Sequence, residues 1–354
     1  MRSQCNFRSI FLPMAPLYVA FIVAIGAFVP LHMAKTEQDH IPMLLHDHPL
    51  AETIWRTSDA APATIQEIET ALESAEMILL GEKHDNPRHH LLQAKMLDGI
   101  GQWSNRAHVI FEMLEPGQSK VLDEVNAGRA KPLAGENGAA GSAAEMLDAR
   151  LAALGEALEW EERGWPDWAI YQPIFRQALS HSMVLGAGNP DRKTLMDVGR
   201  GSQLSDGLLD DLRWDQTYSE AQREDLVDEL VEAHCGMIGR DAVSPMVSMQ
   251  RFKDAHMARA MRRAQRESDV VILIAGNGHV RKDRGVPIFL DRPEKQLRIA
   301  FVEVVRGEEN ARAYPAFGPA LYDYIWFTPR VDEEDPCERF RAQLKAMKDK
   351  NDRP

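Results

Sequence analysis

Apolar residues along this chain fall into short runs without alternation, separated by longer stretches in which they recur at helical spacing. Runs of the first kind suit strands covered on both faces, and the two together predict an α/β protein. Strands are expected at Met77–Leu80 (MILL), His108–Met113 (HVIFEM), Ser182–Gly186 (SMVLG) and Val270–Ala275 (VVILIA). Further strands are expected at Arg298–Val304 and Tyr322–Phe327, with a short one at Ile54–Trp55. Capping boxes open predicted helices over Thr64–Ala75 and Ser219–His234. Asn86 as N-cap and Pro87 at the first helical position start another, reaching about Trp103. Pro116–Ala127, Met146–Arg163, Phe175–His181 and Met249–Glu267 complete the helices. A Gly/Ala-rich loop spans Ala134–Ala144, and the aromatic segment Trp165–Pro173 is expected to pack the helical insertion onto the sheet.

Two strand ends carry the same motif. After Leu80 comes Gly81-Glu82-Lys83-His84, and after Ala275 comes Gly276-Asn277-Gly278-His279. Each is G-x-x-H at the carboxyl edge of an apolar strand, and Glu112 ends a third strand in an equivalent place. Side-by-side strands would bring Glu82, His84, Glu112 and His279 into one crevice, where open α/β sheets hold ligands. The helix start at Pro87 with Arg88 adds a place for an anion. Asn189 and Arg192, beyond the fourth strand, are secondary candidates for the same crevice. His89, His90 and His108 read as surface or first-turn histidines.

Composition sets limits rather than a function. The 354 residues are 44% hydrophobic and 27% charged, with net charge -13, which argues against nucleic acid or an anionic membrane surface as the main partner. The N-terminus departs from this average. Arg2 and Arg8 precede an uncharged apolar stretch, Ile10–Leu31, that reads as an export signal or, by its length, an uncleaved membrane anchor. The charge bias then puts everything after about Met33 outside the cytoplasm. Residues 34–50 form a polar linker bearing His40, His46 and His48, the α/β domain spans 51–330 with helical insertions near 115–170 and 200–265, and 331–354 is a charged tail that reads as a surface helix with a frayed end. Cys235 and Cys337 could pair in an oxidising compartment or stay free.

Several motifs in order resemble the ChaN-type family: LGEKHDNPRHHLLQ at Leu80–Gln93, FEM at Phe111–Met113, QRFKDAHMA at Gln250–Ala258 and IAGNGHVRKDRGVP at Ile274–Pro287, led in by HPLAETIWR. The pattern is also similar to Tiki and TraB proteins and erythromycin esterases. The resemblance implies a central, mostly parallel sheet flanked by helices with an added helical lobe. It also implies that His84 and His279 match the motif histidines, and Glu82 and Glu112 the acidic positions.

Two functions follow from it. The first is binding of haem or a similar small anionic, iron-bearing ligand outside the cytoplasm. His84, Arg88, Asn189, Arg192, His234, Asn277, His279 and Arg281 are its candidate contacts, with Tyr171 or His234 as an axial ligand. His234 reads more readily as a helix C-terminal histidine. The second is hydrolysis, with His84, Glu112 and His279 ligating zinc or manganese and Glu82 as general base, or without metal through histidine and carboxylate. A homodimer is left open.

Overall fold

The apolar runs lie at the centre of a sheet of eight strands. These are β1 (Ile54–Arg56), β2 (Ala61–Ala63), β3 (Met77–Leu80), β4 (Ala107–Phe111), β5 (Val184–Ala187), β6 (Val270–Ile274), β7 (Gln296–Glu303) and β8 (Tyr324–Thr328). The computed structural model describes residues 43–128, 143–318, 321–334, 337, 338 and 341. The expected signal or anchor, nearly all of the Ala134–Ala144 loop and most of the tail lie outside the described residues. Among those described, no helix is long and apolar enough to cross a membrane.

Strand order is β2-β1-β8-β7-β3-β6-β4-β5. All neighbours from β8 to β5 run parallel, and only β1 pairs antiparallel, with β2 on one side and β8 on the other. The order explains the composition of the runs. β3 and β6 are interior strands with helices on both faces, so every side chain of Ile78–Leu80 and Val271–Ile274 is fully buried. Each such Leu or Ile contributes about 1.5–3 kcal/mol relative to exposure.

Nine helices lie among the described residues: α1 (Ile65–Ser74), α2 (Pro87–Trp103), α3 (Ser119–Asn126), α4 (Ala143–Ala157), α5 (Trp168–Ser180), α6 (Arg192–Gly199), α7 (Asp206–Leu212), α8 (Glu220–Ala233) and α9 (Arg240–Ala264). One core layer packs α1 to α5 against Ile78, Leu80, Val109, Phe111, Ile272 and Ile274. The other packs α9 against the opposite side chains of the same strands, including Met77, Leu79, Ile110, Val271 and Leu273. A small separate cluster, Leu226, Val227, Val243 and Val247, joins α8 to the first half of α9.

Several boundaries differ from the sequence expectation. Asp167 accepts the Ala169 N–H at 2.9 Å and starts α5 at Trp168, so the aromatic segment is itself helical rather than a lead-in. Phe175 of that helix stacks on Phe111 at 4.4 Å, so the expected packing onto the sheet is made by a helix face. α9 begins at Arg240, earlier than Met249. β2 is too short and mixed to show as a pattern. Of the expected linker, residues 43–50 form turns, and Leu44 bridges to Arg330. Cys235, after α8, is bonded to Cys337 across a sequence separation of 102.

Candidate functional site

Register places the two G-x-x-H junctions and Glu112 at one level. Leu80 pairs with Ile274, and Ile274 with Phe111, so β3, β6 and β4 finish together with β6 in the middle. The chain therefore leaves these three neighbouring strands into a common space at their carboxyl edge. Glu82 and Glu112 are 2% exposed and His279 4%, while the His84 side chain remains 35% exposed.

Glu82 is the most heavily bonded group. Its Oε1 accepts the Tyr171 hydroxyl at 2.6 Å and lies 2.7 Å from His84 Nδ1. Its Oε2 accepts Gln93 Nε2 at 2.9 Å and lies 3.2 Å from His90 Nδ1. Burial opposes charging this carboxyl, but His90 and His84 outweigh it and hold it well below the usual carboxylate range. With its lone pairs engaged, Glu82 is not placed to take a proton from water; it orients His84 instead. Tyr171, whose phenol burial and Glu82 push far up, stays a donor. Its ring packs on His90 at 4.0 Å.

His84 is thus held through one nitrogen. Its Nε2 lies 3.9 Å from Glu112 Oε2, beyond hydrogen-bond reach, and the ring meets Trp165 edge-on at 5.2 Å. Burial works against charging His84, but the bond to Glu82 and the Glu112 carboxylate raise its affinity for a proton above the ordinary value. A Cβ on Gly276 would sit 3.2 Å from this Nε2, so a larger residue there would crowd the ring. At Gly81 a Cβ would meet Asn277 Oδ1 at 2.1 Å, which ties the two junctions face to face.

Glu112 occupies the middle. Its Oε1 accepts Lys253 Nζ at 3.0 Å and lies 3.1 Å from His279 Nε2, and its Oε2 accepts the Gly276 N–H at 3.0 Å. Against the cost of burial, His279 and Lys253 hold it well below the usual range. His279 lies between two carboxylates, with Asp254 Oδ1 2.5 Å from Nδ1. Burial would lower it, but Glu112 and Asp254 raise it to about 9. Tyr218 donates to the other oxygen of Asp254 at 3.0 Å, and Gln250 Nε2 lies 3.2 Å from His279 Nε2.

Helix α9 thus lines the crevice with Gln250, Lys253 and Asp254, none of which carried a role at the sequence level. Their spacing, i, i+3 and i+4, marks one helix face. The QRFKDAHMA motif containing them was the signal available.

The other candidates are placed elsewhere. Arg88 is held by Glu52, Nε to Oε1 at 2.8 Å and Nη2 to Oε2 at 2.7 Å. The first N–H groups of α2 are capped by Asn86 Oδ1, which accepts from Arg88 and His89. The expected anion site at this helix start is thus filled by the chain's own side chain. Arg281 is bound by Asp283, Asp225 and Glu229. His234 caps the end of α8, with Nδ1 2.7 Å from the Leu230 carbonyl, which is the helix-terminal placement. Asn277 donates its Nδ2 to the Phe301 carbonyl at 2.7 Å. Asn189 is buried past β5 with its N–H on the Leu114 carbonyl, and Arg192 is exposed in the first turn of α6. His89 and His90, expected on the surface or in the first helical turn, stand in the first turn of α2 but are fully buried: His89 lies between the Lys83 N–H and the Thr328 hydroxyl, and His90 between Glu82 and the His84 carbonyl.

The metal grouping His84, Glu112, His279 is not arranged as a ligand set. Among the described residues no three His, Cys, Asp or Glu side chains are placed to hold a metal ion. The physical reason is local: the Lys253 ammonium and the His279 ring stand on the Glu112 oxygen where a cation would sit, and Asp254 engages the other His279 nitrogen.

Comparison with known proteins agrees with this architecture. A solved structure described as cofacial haem binding to ChaN of Campylobacter jejuni superposes with a TM-score of 0.58 at 20% identity, covering 77% of this chain and 95% of that one. An erythromycin esterase mutant in its open conformation matches at 14% identity and TM-score 0.38 over 77% of this chain and 95% of that one. At 20% identity the ChaN likeness shows the fold alone. Comparison with curated protein sequences returned no match. A family model described as haem-binding uptake, Tiki superfamily, ChaN matches residues 68–290, from α1 through both G-x-x-H junctions. Over that span the chain belongs to the ChaN haem-binding uptake family of the Tiki superfamily.

Proposed function

We propose that the protein binds haem or a related iron-bearing ligand outside the cytoplasm and serves iron or haem uptake. One observation carries the reading: Glu82 fixes Nδ1 of His84 and leaves Nε2, 3.9 Å from Glu112 Oε2, on a ring that is 35% exposed. Histidines that ligate a metal use one nitrogen while the other donates to a carboxylate or carbonyl, which also raises their basicity. Bound haem would supply an iron centre, and His84 would hold it. Trp165 gives that side of the crevice an aromatic wall. The family description supports the ligand class. Tyr171 and His234 are engaged by Glu82 and the Leu230 carbonyl and are not counted as ligands.

The test is a haemin titration of the purified protein. A saturable Soret shift at one equivalent, lost in His84→Ala and kept in His234→Ala, supports the reading. An unaltered titration in His84→Ala sinks it.

Export is part of the proposal. It rests on Arg2, Arg8 and the uncharged Ile10–Leu31 stretch, and on the Cys235–Cys337 disulfide, since such bonds persist in oxidising compartments. An alkaline-phosphatase reporter fused after Pro354 should be active in intact bacterial cells.

A second reading, hydrolysis, has its own observation. Buried Asp254, His279 and Glu112, with the half-buried Lys253, form a cluster of ionisable groups, which is costly unless well paired and is often kept for chemistry. In that case His84, oriented by Glu82, would take the proton from a water. Turnover of ester or peptide substrates lost in both His84→Ala and Glu82→Gln would favour it.

A further inference from the structure

We propose that a cavity among the helices, apart from the crevice, is a binding site for a neutral carbohydrate. It lies where the end of α6, the turn after it and α7 meet α9, and its volume is about 410 Å³. Small-molecule sites commonly span about 300–1,000 Å³. Val198, Leu204, Leu209 and Trp214 form its apolar lining. Val198 is buried, and Leu204 and Trp214 pack on the core layer that α9 joins, so this wall belongs to the fold itself. From α9 the cavity takes Ser248, which stands about 160° around the helix from Gln250 and the crevice. The site therefore does not depend on the haem-binding reading.

Trp214 is held on two sides. The Arg251 guanidinium lies 3.8 Å from the centre of its ring and donates to its carbonyl, while Phe252 meets the ring edge-on at 6.1 Å. A side chain already ordered loses little freedom on binding. Beside it the cavity is lined by Ser202, Gln203, Asp206 and Ser248. Among the described residues none of these four side chains makes a hydrogen bond or an ion pair. A sugar ring uses both kinds of wall. Its weakly positive C–H face packs on the negative face of an indole. Its hydroxyls match a free carboxylate, an amide and two serine hydroxyls, with the bonds to the carboxylate the stronger. An organic cation fits less well, because Arg251 already occupies the indole's cation-binding capacity and three of the four polar groups are neutral.

The experiment is saturation-transfer NMR on the full chain with maltose, cellobiose, lactose and chitobiose, and with phenethylammonium as the cationic control. At least one disaccharide should give a saturable signal, lost in Trp214→Ala and weakened at least fivefold in Asp206→Asn and in Gln203→Ala. Haemin titration should be the same in wild type and Asp206→Asn. No disaccharide signal in wild type overturns the inference, as does a signal unchanged in all three variants. Saturable phenethylammonium binding in place of the sugars overturns it too. Should Trp214→Ala fail to fold, Asp206→Asn and Gln203→Ala still decide, because both residues are exposed. Disaccharide binding without haemin binding would sink the haem reading and leave this inference standing.

Discussion

Asp254 holds one carboxylate oxygen 2.5 Å from Nδ1 of His279, so a helix on one face of the sheet fixes the histidine displayed at the end of its central strand. Both partners are buried, at 2% and 4% exposure. Removing one member of such a pair leaves the other without compensation. Asp254→Asn should destabilise the protein by about 2–4 kcal/mol in urea unfolding. Tyr218→Phe, which removes only an outer donor, should cost about 1 kcal/mol.

The Tyr171 hydroxyl donates to Glu82, and the ring packs on His90 and Trp160. Tyr171→Phe keeps the packing and removes the bond, so a loss of about 1–3 kcal/mol is expected. Tyr171→Ala also opens a cavity and should cost about 3–5 kcal/mol. No loss in Tyr171→Phe, measured by denaturant titration, would refute a role for the hydroxyl.

Stability should pass through a maximum with pH. Burial pushes His108 down to about 4, so the unfolded chain, at 6.5, takes up the proton first. That contribution is present above about 6.5 and lost as pH falls towards 4, worth about 1–3 kcal/mol after allowing for residual exposure. His279, raised to about 9, acts in the opposite sense: its contribution is full below 6.5 and lost as pH rises through 9. Unfolding free energies measured from acid to alkaline pH should show both limbs, with the acid limb flattened in His108→Leu.

The Cys235–Cys337 bond closes a long loop. In the chain-entropy account a loop of about 100 residues contributes about 4–5 kcal/mol. Reduction, or Cys235→Ser, should lower the urea midpoint accordingly, and thiol titration of the unreduced, unfolded protein should miss both residues.

Gly276 faces His84 and Glu112. Gly276→Ala should leave the fold intact, with less than about 2 kcal/mol lost. It should nonetheless weaken haemin binding at least tenfold, by crowding the imidazole.

The unalternating runs MILL, HVIF and VVILI were legible as buried strands because a doubly covered sheet leaves them no polar face. The paired G-x-x-H junctions were legible for a related reason, since a side chain at Gly81 would run into Asn277 and one at Gly276 would crowd His84. What no local pattern contains is a partner distant in sequence. That Lys253 neutralises Glu112, that Asp254 grips His279, and that Tyr171 donates to Glu82 depend on α9 and α5 crossing opposite faces of the same strands. Charge at Arg88 and Arg281 suggested anion binding, yet Glu52 and the acids of α8 reached them first. Residue order determined which groups arrive at the carboxyl edge of the sheet; only tertiary packing decided which of them remain free, because ion pairs form between whichever opposite charges the fold brings into contact.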